Sequence, residues 1–123
     1  MNTLWSVGAS RRVSSGSLRF WMPTAFTPFL SPSTYHSLAR GKPDRHMDPF
    51  QIDLAPGAAE AFSSHEGEEL IICTKGRVRI DYGTETTILE PGDTAYYNSV
   101  VKHCVRAEGP EQASIYGIVF VPF

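Results

Sequence analysis

Several things are scarce in this chain. Cysteine occurs twice in 123 residues, at Cys73 and Cys104. Two are too few for a disulfide framework, and both lie in apolar runs, so they read as packed, reduced thiols suited to the cytoplasm. Long apolar runs are missing as well: the best, Ile115 to Val121, is interrupted by Gly117, whereas a membrane helix needs about 20 apolar residues. No membrane span is expected. Long intervals free of glycine and proline are equally rare, because 10 Gly and 9 Pro are spread so evenly that only residues 93–108 form one. That leaves little room for helices of ordinary length and excludes a helical bundle.

Acid is absent from one third of the chain. Residues 1–43 hold Arg11, Arg12, Arg19, Arg40 and Lys42 and no Asp or Glu, a charge of +5, while all 13 acids lie from Asp44 onward and leave the remainder at −7. A basic arm before an acidic body suits nucleic-acid contact, a targeting peptide or a linker. The stretch WSVGASRRVSSGSLRF is Ser-rich and acid-free as transit peptides are, yet lacks an apolar-periodic helix, and a linker or a misplaced upstream start is the reading kept. The acidic body argues against nucleic-acid binding through it. Prolines at 23, 28 and 32 mark residues 1–33 as an irregular N-terminal extension, with one domain over residues 34–123.

What is present in that domain is β-forming. PFQIDLA, ELIICT, RVRIDY, TTILE, DTAYYN, KHCVRA and SIYGIVFV are rich in Val, Ile, Tyr, Phe and Thr, and turn residues separate them at short spacing. Seven short strands at this spacing predict an all-β antiparallel sandwich or barrel. The run AAEAFSSHE is the one place where a helical turn or two is expected.

Chemistry concentrates in Ser63-Ser64-His65-Glu66-Gly67-Glu68-Glu69. Positions four apart on a straight strand are roughly 13 Å apart, too far to share one ion, so a turn at Gly67 must bring His65 and Glu69 opposite each other on adjacent strands. His103 then has to arrive from another strand. Two imidazoles and one carboxylate on one face of an ion leave three positions open, which suits Fe(II) and oxygen chemistry and tolerates Mn, Ni or Zn. The competing reading is a satisfied polar cluster without metal.

At these residues the sequence resembles the cupin superfamily. Its first motif reads Gly, five residues, His, one residue, His, three or four residues, Glu, six residues, Gly; Gly57, Ser63, His65, Glu69 and Gly76 fall in that register, with Ser63 in place of the first histidine. In the second motif Gly92, Asn98, Val100, His103 and Ala107 occupy the places of Gly, Pro, Gly, His and Asn, so the glycine and the histidine remain. The surrounding text is similar to the cupin domain behind helix-turn-helix modules in bacterial regulators, and the His, Glu, distant-His pattern resembles the iron epoxidase acting on hydroxypropylphosphonate. The resemblance implies a small antiparallel jelly-roll barrel, commonly dimeric, with a divalent metal held inside by His65, Glu69 and His103 and weakened by Ser63. It implies either a module that binds a small-molecule ligand as an effector sensor or, alternatively, a mononuclear non-haem iron oxygenase or epoxidase. No helix-turn-helix fits residues 1–43.

Other candidates take blander readings. His36 and His46 read as solvent-facing. One of Tyr96 and Tyr97 points inward by alternation, for packing and hydrogen bonding. Cys73 shares the parity of Glu69 and Ile71 and faces the interior; Cys104 has the parity opposite to His103. Arg77 and Arg79 belong to a solvated strand face. The apolar final strand SIYGIVFVPF should be covered in a homodimer.

Overall fold

The computed structural model describes residues 5–7, 33–57 and 61–120. They contain nine strands: β1 (Trp5–Val7), β2 (Thr34–Ser37), β3 (Met47–Leu54), β4 (Glu68–Lys75), β5 (Val78–Tyr82), β6 (Glu85–Leu89), β7 (Thr94–Asn98), β8 (His103–Ala107) and β9 (Ala113–Phe120). A six-stranded sheet runs β1-β7-β4-β9-β3-β2 and a three-stranded sheet runs β6-β5-β8, every pairing antiparallel. This is a jelly-roll β fold. The strands expected from residue composition correspond to β3 through β9.

Alternation decides which side chains enter the core. Along β4, Glu69, Ile71 and Cys73 are buried while Glu68, Leu70 and Ile72 are only partly so. Phe50, Ile52, Leu54, Ala95, Tyr97, Ala113 and Ile115 from the large sheet meet Val78, Ile80, Tyr82 and Leu89 from the small one. Removing this apolar area from water is the main favourable term in forming the barrel. The chain turns where the sequence places glycine: at Gly76, which carries it from β4 in the large sheet to β5 in the small one, φ is +73°, and a Cβ would stand 2.6 Å from the Gln112 carbonyl oxygen. Only glycine fits there without a shift of backbone.

Two local expectations change. Within AAEAFSSHE, residues 58–60 lie outside the described residues, and residues 61–66 contain no helix. Ser63 instead forms an extended bridge, its N–H donating to the His103 carbonyl at 2.9 Å and its own carbonyl accepting from the His103 N–H at 3.0 Å. Backbone groups paired across the barrel are not available to close a helical turn. In the N-terminal arm, expected to be irregular, Trp5–Val7 is a strand with Trp5 opposite Tyr96 and Val7 opposite Thr94. It supplies partners to the otherwise open edge of β7. The rest of residues 1–32 lies outside the described residues.

Candidate metal centre

Three separate backbone devices bring His65, Glu69 and His103 together. Glu69 is the second residue of β4 and projects inward with Ile71 and Cys73. His103 opens β8, with its backbone bridged to Ser63. His65 is not on a strand paired with β4, as the spacing suggested, but on a loop running beside residues 99–103: its N–H donates to the Ser99 carbonyl at 3.0 Å, and the Ser99 N–H returns to the Gly67 carbonyl at 2.9 Å. Gly67 is indeed the turning point, with φ +111°. The loop needs a fixed partner because an unpaired segment cannot hold an imidazole in place, and the Ser99 peptide provides it.

The donor atoms converge. His65 Nε2 stands 2.8 Å and His103 Nε2 3.0 Å from Glu69 Oε2, and one ligand atom from each of the three residues lies within 4.8 Å of the others. Each imidazole is oriented by its far nitrogen: His65 Nδ1 lies 3.1 Å from the Glu66 carbonyl and His103 Nδ1 2.7 Å from the Val101 carbonyl. A carbonyl only accepts, so each Nδ1 carries a proton, and both Nε2 atoms are the ones turned toward the carboxylate. Ligands about 2.1 Å from an ion and at right angles to one another lie about 3 Å apart, which matches these separations. The residues therefore fit a divalent cation.

Electrostatics support the same arrangement. Burial alone would raise the carboxyl of Glu69, but hydrogen bonds from His103 and His65, the His103 imidazole's field and the Tyr97 hydroxyl hold it down to about 2, so Glu69 is an anion at any ordinary pH. The hydrogen bond to Glu69 raises His65 above its usual value, against the opposing effect of burial. Tyr97 donates to Glu69 Oε1 at 2.7 Å; burial and the adjacent carboxylate push its own ionisation far up, so it stays a donor. Ser63 occupies the fourth place, with Oγ 3.3 Å from His103 Nε2.

The remaining candidates fall away from this centre. His36, expected in solvent, is partly buried and sits 4.0 Å from Asp53 across β2 and β3, on the outer face opposite Tyr35; His46 is exposed in a turn-rich loop, as expected. Tyr97 is the inward tyrosine, and Tyr96 donates outward to Glu68. Cys73 is buried, donates to the Gly76 carbonyl at 3.3 Å, and is pushed up to about 11 by burial, an inert thiol. Cys104 is also a buried free thiol. Arg79 lies on the outer face against Asp81, and Arg77 pairs with Glu90 in solvent. Sequence reasoning identified an inward tyrosine but not its contact with Glu69, which depends on the β4–β7 register that opposes Glu69 and Tyr97.

Comparison with known proteins adds a family and a fold. No curated protein matches the chain in sequence. Among solved structures, a cupin-like protein from Thermotoga maritima MSB8 superposes with a TM-score of 0.66 at 22% identity, over 72% of this chain and 68% of that one. Hydroxypropylphosphonic acid epoxidase from S. wedmorenis does so at 0.62 and 22%, over 72% of this chain and 51% of the epoxidase, so this chain spans about half of that enzyme. The cupin domain of an XRE family transcriptional regulator from Enterobacter cloacae gives 0.64 at 20%, over 74% and 98%. At such identities the likeness speaks for the fold alone. Residues 50–121 match the sequence model of the Cupin domain family, which is more than half of the chain and includes His65, Glu69 and His103: this protein belongs to the cupin domain family.

Proposed function

We propose that the barrel binds one divalent metal ion through His65, Glu69 and His103, with Fe(II) first and Mn, Ni or Zn as alternatives, and that a small-molecule ligand completes the site. The observation that carries this is the convergence of two carbonyl-oriented Nε2 atoms on one buried carboxylate oxygen at 2.8 and 3.0 Å. When bound, the ion supplies Lewis acidity and open positions for small ligands. The chain's own residues do the rest. Glu69 provides the charge that offsets the cation, the Glu66 and Val101 carbonyls hold the imidazoles in their ligating tautomer, and the Ser63 hydroxyl stands beside the ligand positions as a hydrogen-bonding group.

In this reading the protein is a binding or effector-sensing module, residues 34–123 forming the barrel and residues 1–33 a basic extension whose strand Trp5–Val7 adds to the edge of β7. It works in the cytoplasm as a homodimer and does not bind nucleic acid through the barrel. Among the described residues no helix is long and apolar enough to cross a membrane. The sensing role is supported by the likeness to a regulator's cupin domain, almost the whole of which this chain covers. Elemental analysis of protein purified without added metal tests the core of it: about one transition-metal ion per chain is expected, and absence of metal together with no uptake of Fe(II), Mn, Ni or Zn would overturn it.

A second reading, a mononuclear non-haem iron oxygenase or epoxidase, draws on the three protein donors leaving positions free and on the likeness to an Fe(II)-containing epoxidase structure. Stoichiometric iron and oxygen uptake dependent on an added organic substrate would favour it over the binding module.

A further inference from the structure

We propose that Tyr97 is a positioning residue that restricts Glu69 to a single ligating oxygen and thereby keeps three positions of the bound ion open; this rests on the metal-binding reading above. The two oxygens of Glu69 have separate partners. Oε2 faces both imidazole Nε2 atoms, whereas Oε1 accepts the Tyr97 hydroxyl at 2.7 Å in a fully buried contact. A carboxylate left to itself can chelate an ion through both oxygens and occupy two positions. One whose second oxygen accepts a strong hydrogen bond directed away from the ion is held to one.

The tyrosine is well placed to exert that control. It lies directly opposite Glu69 in the β4–β7 register and is only 1% exposed. Its ring is confined between Tyr82, with centroids 5.1 Å apart, and His103, 5.0 Å apart. Tyr82 is itself held by donation to the Asn98 carbonyl at 3.1 Å. Tyr97 thus touches two of the three proposed ligands, one through its hydroxyl and one through its ring, without being a ligand. In Tyr97→Phe the ring and its packing stay, but Oε1 becomes a buried anionic oxygen without this donor, a costly state that the ion beside it can relieve.

Mn(II) titrated into metal-free protein, with water-proton relaxation read per bound ion, tests the inference. Wild type is expected to hold about three exchangeable waters on an octahedral ion, and Tyr97→Phe to show relaxation per bound ion lower by about one third as the second carboxylate oxygen displaces one of them. A side chain with only a packing role would change affinity and leave that value alone, so equal relaxation in the two proteins overturns the inference while preserving the metal reading. No enhancement in wild type overturns both. If Tyr97→Phe does not fold, the infrared difference between metal-loaded and metal-free wild type decides: widely separated antisymmetric and symmetric carboxylate stretches mark one-oxygen ligation, and closely spaced ones, the mark of chelation, overturn the inference.

Discussion

Among the described residues two carboxylates are buried, and they have opposite uses. Glu69, 3% exposed, lies inside against His65, His103 and Tyr97; Asp81, 7% exposed, lies on the outer face of the three-stranded sheet against Arg79, Arg106 and Thr86. Both are held below the usual carboxylate range although burial pushes them upward. At Glu69 the imidazoles and the tyrosine outweigh burial, and at Asp81 the Thr86 hydroxyl and the two guanidinium groups do so. Both are charged and shielded from solvent, Glu69 deep in the interior and Asp81 beneath two partly exposed arginines; their partners differ. Guanidinium is permanently protonated and has no lone pair to offer, so Asp81 ends in a closed ion-pair cluster. An imidazole can exchange its proton for a metal, so Glu69 belongs to a centre that can be loaded and emptied.

The largest test of this contrast removes one imidazole. His103→Ala should abolish stoichiometric metal binding in titration calorimetry, because the two remaining ligands are too few to hold most divalent ions, and wild-type affinity in this variant would remove the proposed site. Ser63→His works in the opposite direction. It places an imidazole beside His103 Nε2, where the Ser63 hydroxyl now stands at 3.3 Å, and should tighten metal affinity by about 10- to 100-fold while closing a position needed for oxygen chemistry. An unchanged dissociation constant would mean that Ser63 does not border the ion.

Proton linkage sharpens the comparison further. His65 is raised in the metal-free protein, so its contribution to stability is fully present below the unfolded value and fades as pH rises through the folded one. The ion competes with the same proton. The metal-induced rise in melting temperature should therefore grow from about pH 6 to about pH 8, and a rise that shrinks with pH would contradict ligation by His65. Glu69 works in the other sense: with a folded value of about 2 against 4.5, its contribution is present above the unfolded value and is lost as pH falls through about 2. The smallest effect belongs to the outer carboxylate. Asp81→Asn should cost about 1 kcal/mol of stability in chemical denaturation and leave metal affinity unchanged; altered affinity would mean that the two clusters are coupled.

Alternation and turn chemistry are local properties, and they determined much of this protein before any contact was known. Glycine and proline spacing excluded long helices, β-branched and aromatic runs marked β3 through β9, and the resemblance to the cupin motif, in register from Gly57 to Gly76, singled out His65 and Glu69. The parity of Cys73 followed from the same period of two. Only the tertiary structure decided that residues 63–67 run along 99–103 instead of forming a helical turn, because the partners of Ser63 and His65 are the backbone groups of His103 and Ser99, far along the chain. It also decided that Trp5–Val7 lies on β7, that Tyr97 reaches the second oxygen of Glu69, and that Asp81 closes on two arginines. Each of these depends on which strand neighbours which and in what register. Pairing of that kind is set by burial of the whole inner face, where a slip of one residue would turn every core side chain toward water.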